Sequence, residues 1–196
     1  MRKIKIWIFA NICLVFLSVA ALAQEAPRAE VFGGYQLVDS YGDQGETGST
    51  SFVLNGWNAS VSGYYNRYFG LTVDVAGSYA TPTVVLPPVG GIPVSTHLYT
   101  FTGGPVIRIA NPSRYQPFIH ALFGEAHVLG SASIARAGGS VSGSNNGFAV
   151  ALGGGLDIKV SPLIGIRPVQ LDFLQTHVGG STENNIRYSA GVVLRF

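Results

Sequence analysis

Apolar and polar residues alternate with a period of two along most of the chain, and the last segment shows it most cleanly. There Ile186, Tyr188, Ala190, Val192, Leu194 and Phe196 interleave with Arg187, Ser189, Gly191, Val193 and Arg195. Successive side chains of a strand point to opposite faces, so this pattern makes one apolar face and one small or charged face. Phe69, Leu71, Val73 and Val75 repeat it against Gly70, Thr72, Asp74 and Ala76. Phe148, Val150, Leu152, Leu156 and Ile158 do so against Ala149, Ala151, Gly153, Asp157 and Lys159. Eight such segments are predicted as strands, over 29–38, 52–65, 67–79, 96–109, 115–128, 147–160, 163–176 and 184–196. Short links at 66–67, 110–114 and 161–162 alternate with longer links, mostly rich in Gly, Ser, Thr and Pro, at 39–51, 80–95, 129–146 and 177–183.

The first residues stand apart. Arg2, Lys3 and Lys5 precede an apolar run over 6–22, and Ala21-Leu22-Ala23 supplies the small-x-small site that signal peptidase reads. Residues 1–23 are predicted as a cleaved signal peptide and 24–196 as the mature domain. Three of the twelve Lys and Arg residues leave with that segment, so nine bases face ten acids. The apparent basicity vanishes, and with it any electrostatic ground for a nucleic-acid partner. The single cysteine, Cys13, leaves too, so disulfides cannot staple what remains.

Composition then becomes informative. Charged residues make up 11% of the chain and hydrophobic ones 47%, whereas charged residues run to about 25% in soluble domains. Yet no apolar run beyond the signal segment reaches the roughly 20 residues of a spanning helix. The longest, over 83–94, is broken by Pro87, Pro88 and Pro93. Lipid cannot hydrogen-bond a backbone, so only helices and closed barrels span it. The expected fold is all-β: an eight-stranded antiparallel transmembrane up-and-down β-barrel in the cell outer membrane, with short turns in the periplasm and long loops outside.

Aromatic residues fit two interfacial girdles. Tyr64, Tyr65, Tyr68, Phe69, Tyr115 and Phe196 gather at the short-turn ends; Trp57, Tyr79, Tyr99, Phe148, Phe173 and Tyr188 lie toward the long-loop ends. In the fifth segment Gln116, Phe118, His120 and Leu122 are as able to face lipid as Tyr115, Pro117, Ile119, Ala121 and Phe123. In the seventh, Arg167 and the pair Gln170 and Asp172 fall on opposite parities, which predicts a bulge at Pro168.

Several short motifs recur in order: Gly56-Trp57-Asn58-Ala59, Val73-Asp74-Val75-Ala76-Gly77, Gln116-Pro117-Phe118, Leu152-Gly153-Gly154-Gly155-Leu156-Asp157, and Ile166-Arg167-Pro168-Val169-Gln170-Leu171-Asp172, with Phe196 at the end. On these, the chain from about Asn55 to Phe196 resembles the OmpA-like outer-membrane β-barrel family, a small porin-like group. The resemblance implies an eight-stranded barrel inserted by the outer-membrane assembly machinery, and roles ranging from structural anchor to adhesin. Tyr188, Ala190, Val192, Leu194 and Phe196 look like the C-terminal signal which that machinery reads.

Charges on the non-lipid face need partners. Measured in residues from the turns, Asp157 lies opposite Arg167, Asp172 opposite Arg187, and Glu30 opposite Arg195 across the closing seam; Asp74, Arg108 and Lys159 complete the set. An eight-stranded barrel is just wide enough for its own side chains, so these nine residues read as a structural lumen network rather than a conducting path. Gly153, Gly155 and Gly191 are expected to make room for the arginines. His97, His127 and His177 fall near the outer rim with Ser95, Ser131 and Glu125, but no nucleophile–base pair is recognisable. No phosphate loop, dinucleotide fingerprint or zinc spacing occurs, so no enzyme, cofactor or metal site is expected.

Specific activity then belongs to the loops. Asp39, Asp43 and Glu46 make the first acidic, and 130–147 is Gly/Ser-rich and expected to be mobile. The apolar stretch over 83–94 either caps the barrel mouth, the preferred reading, or offers a patch to a partner. The best-supported function is a structural, adhesive or loop-mediated interaction role, with outer-membrane lipid, lipopolysaccharide and the assembly machinery as partners and an extracellular partner at the loops. A narrow channel, a rim-located lipid-modifying enzyme and a soluble lipocalin-like barrel are the alternatives.

Overall fold

The structure, a computed structural model, describes residues 29–42, 50–81, 83–86, 90–109, 113–134 and 139–196. The expected signal peptide, Asp43 and Glu46 lie outside the described residues. Nine strands follow one another: β1 (Ala29–Gly42), β2 (Thr50–Tyr64), β3 (Phe69–Ala80), β4 (Thr83–Leu86), β5 (Gly90–Arg108), β6 (Tyr115–Ile134), β7 (Gly139–Lys159), β8 (Ile164–Val178) and β9 (Ser181–Arg195). Each pairs antiparallel with its neighbours. Pairing of β1 with β9 and of β3 with β5 closes eight of them into a barrel. β4 stands outside that count. It pairs antiparallel with Gly90–Pro93 at the start of β5, so the two described ends of the apolar stretch over 83–94 lie side by side as strands.

Alternation puts polar side chains inside and apolar ones outside. Leu71, Phe101, Ile119, Leu171 and Val192 are exposed, whereas Glu30, Asp74, Asp157, Arg187 and Arg195 are buried. This inverts a soluble barrel and sets the lipocalin-like alternative aside. In β6 the even residues turn inward: Gln116, Phe118, His120 and Leu122 are buried while Tyr115, Ile119 and Phe123 are exposed. The β8–β9 register slips between Arg167 and Gln170, at the bulge the parity conflict requires. A second slip in the β7–β8 register, between Leu156 and Ile158, has no signal in the pattern.

Three expectations need correction. Tyr64 is no girdle residue: it points into the lumen, 5% exposed. It has the inward parity of Ser60 and Ser62, which its position beside the turn concealed. The link over 177–183 is a tight two-residue turn, Gly179–Gly180, with φ of 61° and 85°. Positive φ at both positions is what a type I′ hairpin turn demands and glycine supplies. Most of the link over 129–146 is β-strand, with β6 and β7 paired up to Ile134 and Gly139. A strand rising beyond the membrane has water on both faces, so its sequence carries no apolar alternation to reveal it.

Candidate functional site

The lumen holds one connected polar network to which all eight barrel strands contribute. At the short-turn end Glu30 Oε1 accepts from Arg195 Nε at 2.9 Å and from Arg108 Nη1, and Tyr64 donates its hydroxyl to Oε2 at 3.2 Å. Asp157 takes a bidentate pair from Arg167, Nε to Oδ1 at 2.7 Å and Nη2 to Oδ2 at 3.1 Å, with Arg195 Nη2 at 3.5 Å. The Arg167 guanidinium lies 4.5 Å from the Phe32 ring centre and 4.1 Å from that of Phe118; Arg108 lies 3.9 Å from that of Tyr64. Aromatic faces thus solvate the parts of each cation that no carboxylate reaches.

Gln170 joins the two ends, accepting from Arg167 Nη1 at 2.8 Å and donating to Asp172 Oδ2 at 2.9 Å. Arg187 then binds two carboxylates: its Nε donates to Asp172 at 2.8 Å and its Nη1 to Asp74 Oδ1 at 2.8 Å, while Asn58 donates to Asp74 Oδ2 at 2.8 Å. The four carboxylates, Glu30, Asp74, Asp157 and Asp172, meet the four arginines Arg108, Arg167, Arg187 and Arg195. Charge is matched one for one where an unpaired ion would be most costly. Lys159, grouped with these by parity, is half-buried and makes no ion pair with another described residue.

His120 belongs to the network although the pattern gave no reason to include it. Its Nε2 lies 2.7 Å from Asp172 Oδ1, across the intervening strand β7. The register explains the reach: His120 pairs with Gly153, and Gly153 with Asp172. A Cβ on Gly153 would overlap the Asp172 carboxylate and the Leu171 carbonyl, and one on Gly155 would lie 2.8 Å from the Phe118 ring. These glycines therefore do not make room for arginines. They open a window through which β6 and β8 side chains meet; the glycine against an arginine is Gly165, beside Arg195. Gly191 faces the backbone of Gly33 and Gly34 instead. Gly153→Ala is expected to part His120 from Asp172 and destabilise the barrel by about 1–3 kcal/mol, the usual cost of overpacking. A urea-unfolding midpoint in detergent measures it.

Toward the long-loop end the lumen changes character. Val38, Leu54, Leu98, Leu122, Ala126, Ala149, Ala151 and Leu174 form one buried apolar cluster, with Leu122 fully shielded. Beside the network, a void of about 10 Å³ is lined by Ser60, Thr72, Asp74, His120 and others, room for roughly one water. The apolar cluster lay hidden because leucine and alanine at inward positions read as imperfections of the alternation.

The outer face carries the rest. Tyr188, Ala190, Val192, Leu194 and Phe196 share the lipid-facing side of the last strand. Tyr188 donates its hydroxyl to the Pro168 carbonyl at 2.8 Å, at the bulge where Pro168 is matched in neither neighbouring register. The three rim histidines point outward and apart. His97 packs edge-on against Tyr79, with ring centres 5.1 Å apart. His127 bonds to Asn146, which donates to Glu125 at 2.8 Å, and His177 bonds to Thr182 at 2.8 Å. Among the described residues none of the three hydrogen-bonds a serine.

No protein-family model matches the chain, and no curated protein does. Solved structures do. The attachment invasion locus protein Ail of Yersinia pestis superposes with a TM-score of 0.64 at 21% identity, over 88% of this chain and 100% of its own. Ail is also known in complex with the heparin analogue sucrose octasulfate. Neisserial surface protein A gives 0.59 at 13% identity over 88% and 100%. The outer membrane protein OprG of Pseudomonas aeruginosa gives 0.57 at 16% over 89% and 98%. At these identities the likeness is one of fold: this chain has the closed eight-stranded barrel of outer-membrane proteins.

Proposed function

We propose that the chain is an integral outer-membrane barrel of the OmpA-like kind, with its lumen sealed by side chains and its activity carried by the extracellular ends of its strands. The carrying observation is the stacking of two different fillings: a charge-matched network below and an apolar layer of Val38, Leu54, Leu98, Leu122 and Leu174 above. The charged network alone would leave a path, since water follows charges; the apolar layer above it adds a constriction where water thins out. Together they leave none for a hydrated ion. The role is structural or adhesive, by contact with an extracellular partner, and no step of it is enzymatic.

Lipid and lipopolysaccharide surround the apolar belt, and the outward row from Tyr188 to Phe196 is what the assembly machinery reads. A polyanion such as the heparin analogue bound by Ail suits this chain poorly. The four long links over 39–51, 80–95, 129–146 and 177–183 hold one Lys or Arg, Arg136, against Asp39, Asp43 and Glu46 in the first alone. Attraction of sulfate groups needs the opposite balance.

Purified protein in planar bilayers is expected to give no discrete conductance steps. In cells the protein should fractionate with outer membranes, and on gels it should migrate differently before and after heating. Reproducible steps from the wild-type chain would replace this reading with the narrow channel; recovery as a soluble periplasmic monomer would end the membrane assignment.

A further inference from the structure

The charges of the lumen are matched as a whole but not at each end. Beyond Gln170, toward the long loops, Asp74 and Asp172 share the guanidinium of Arg187, with His120 as the other basic group on Asp172. At the short-turn end the balance is reversed. Glu30 and Asp157 stand there among Arg108, Arg167, Arg195 and Lys159, two carboxylates against four cations.

Both of those carboxylates are already engaged. Glu30 Oε1 takes Arg108 and Arg195 together and Oε2 takes Tyr64, while Asp157 gives both oxygens to Arg167. Three donors are left over. Arg195 Nη1 and Arg108 Nε are buried without a hydrogen-bond partner among the described residues. Lys159 makes no ion pair with another described residue, and its charged neighbours are Arg195, Arg108 and Glu30.

The register gathers these donors. Lys159, the last residue of β7, pairs with Gly165 of β8, and a Cβ on Gly165 would lie 2.8 Å from Arg195 Nη1. The missing side chain at Gly165 is what lets Arg195 lie over β8, beside the position of Lys159. Arg108 is tied to the same place, because it and Arg195 meet on a single oxygen of Glu30.

We propose that Lys159, Arg195 and Arg108 form an oxyanion site at the short-turn mouth of the barrel, for inorganic phosphate or a soluble phosphate monoester. Charge selects the class. Two surplus cations are balanced by a dianion, and a phosphate monoester carries roughly −1.5 to −2 near neutral pH on strong acceptor oxygens. Guanidinium N–H groups and an ammonium are its usual donors. Lys159 is half-buried where Arg195 and Arg108 are enclosed, and no carboxylate holds its flexible stem. It can turn aside to admit the anion and then close on it. A lipid headgroup is the poorer occupant, because Gly165 and Arg195 face the lumen and a lipid phosphate would have to pass the turn at 161–162 to reach them.

This site lies at the opposite end from the loops and goes beyond the role proposed above. The test uses the full chain folded in maltoside micelles free of phospholipid, with inorganic phosphate as the probe and chloride at equal ionic strength as the reference. Phosphate is expected to move the Nε–H resonances of Arg195 and Arg108. It should also raise the urea midpoint of unfolding, because it binds the folded state alone. Phosphate strengthens apolar burial in any protein, so the comparison of variants decides. Lys159→Gln should lose about tenfold in affinity, as for one hydrogen bond to a charged group, and Lys159→Arg should keep it. In chloride alone Lys159→Gln should be no less stable than the wild type, since it removes one of several mutually repelling cations. An equal phosphate response in wild type and Lys159→Gln, arginine resonances that stay still, or a Lys159→Gln barrel weakened in chloride would overturn the proposal. So would a response to phosphatidic acid in mixed micelles with none to inorganic phosphate. Conductance in bilayers tests the sealed lumen separately, so the two readings fail by different measurements.

Discussion

Replacing Arg187 by methionine is expected to destabilise the barrel by about 3–5 kcal/mol, the cost of leaving buried charges without their partner. The guanidinium is 1% exposed and bridges Asp172 on β8 to Asp74 on the far side of the lumen. Its removal leaves two carboxylates facing one another with the barrel wall around them. Asp172→Asn should cost less, because Asp74 still holds Arg187 and Asn58 still holds Asp74. The double change should cost less than the sum of the two single ones, since each removes part of what the other leaves unpaired. Reversible urea unfolding in detergent or lipid vesicles gives all three values. Strict additivity, or a larger loss from Asp172→Asn than from Arg187→Met, would show that Arg187 does not act as the bridge.

Leu122→Ala should cost about 2–5 kcal/mol, the range for deleting a buried leucine side chain from a packed core. Leu122 is fully shielded among Leu54, Leu98, Leu174 and the small residues Ala126 and Ala151. Strands in a closed barrel cannot move inward one at a time, so the space left behind stays open and the loss falls in the upper part of that range. The same unfolding assay measures it. A change below about 1 kcal/mol would mean that the upper lumen is loosely filled, against the usual density of protein interiors.

The residues divide instructively by what each one's position depends on. Glu30, Asp157, Asp172, Arg167, Arg187 and Arg195 take their inward side from parity. Their neighbours across adjacent strands follow from counting along a hairpin from its turn, and the registers set Glu30 against Arg195 and Asp172 against Arg187. Even the bulge at Pro168 declares itself, because two charged segments of one strand cannot otherwise share a face. His120 was readable as inward only once β6 was oriented, and both of its faces are apolar. Its contact with Asp172 depends on Gly153, which looks like any other glycine of the strand. The height of β6 and β7 was equally hidden, since Ser and Gly on a strand wet on both sides leave no period to detect.

By itself the sequence determined the eight barrel strands, their hairpin order and, where alternation is clear, the face each residue takes, because alternation and turn chemistry act over a few residues; it left β6 unoriented and gave no sign of β4. The closed tertiary structure alone decided that Arg187 reaches Asp74, that His120 meets Asp172 over a glycine, that leucines gather in the upper lumen and that β6 and β7 stay paired as far as Ile134 and Gly139. Closure curls the sheet until non-adjacent strands face each other, and the partners it creates lie as far apart in the chain as residues 74 and 187. No local pattern encodes such a pairing; the geometry of the closed barrel does.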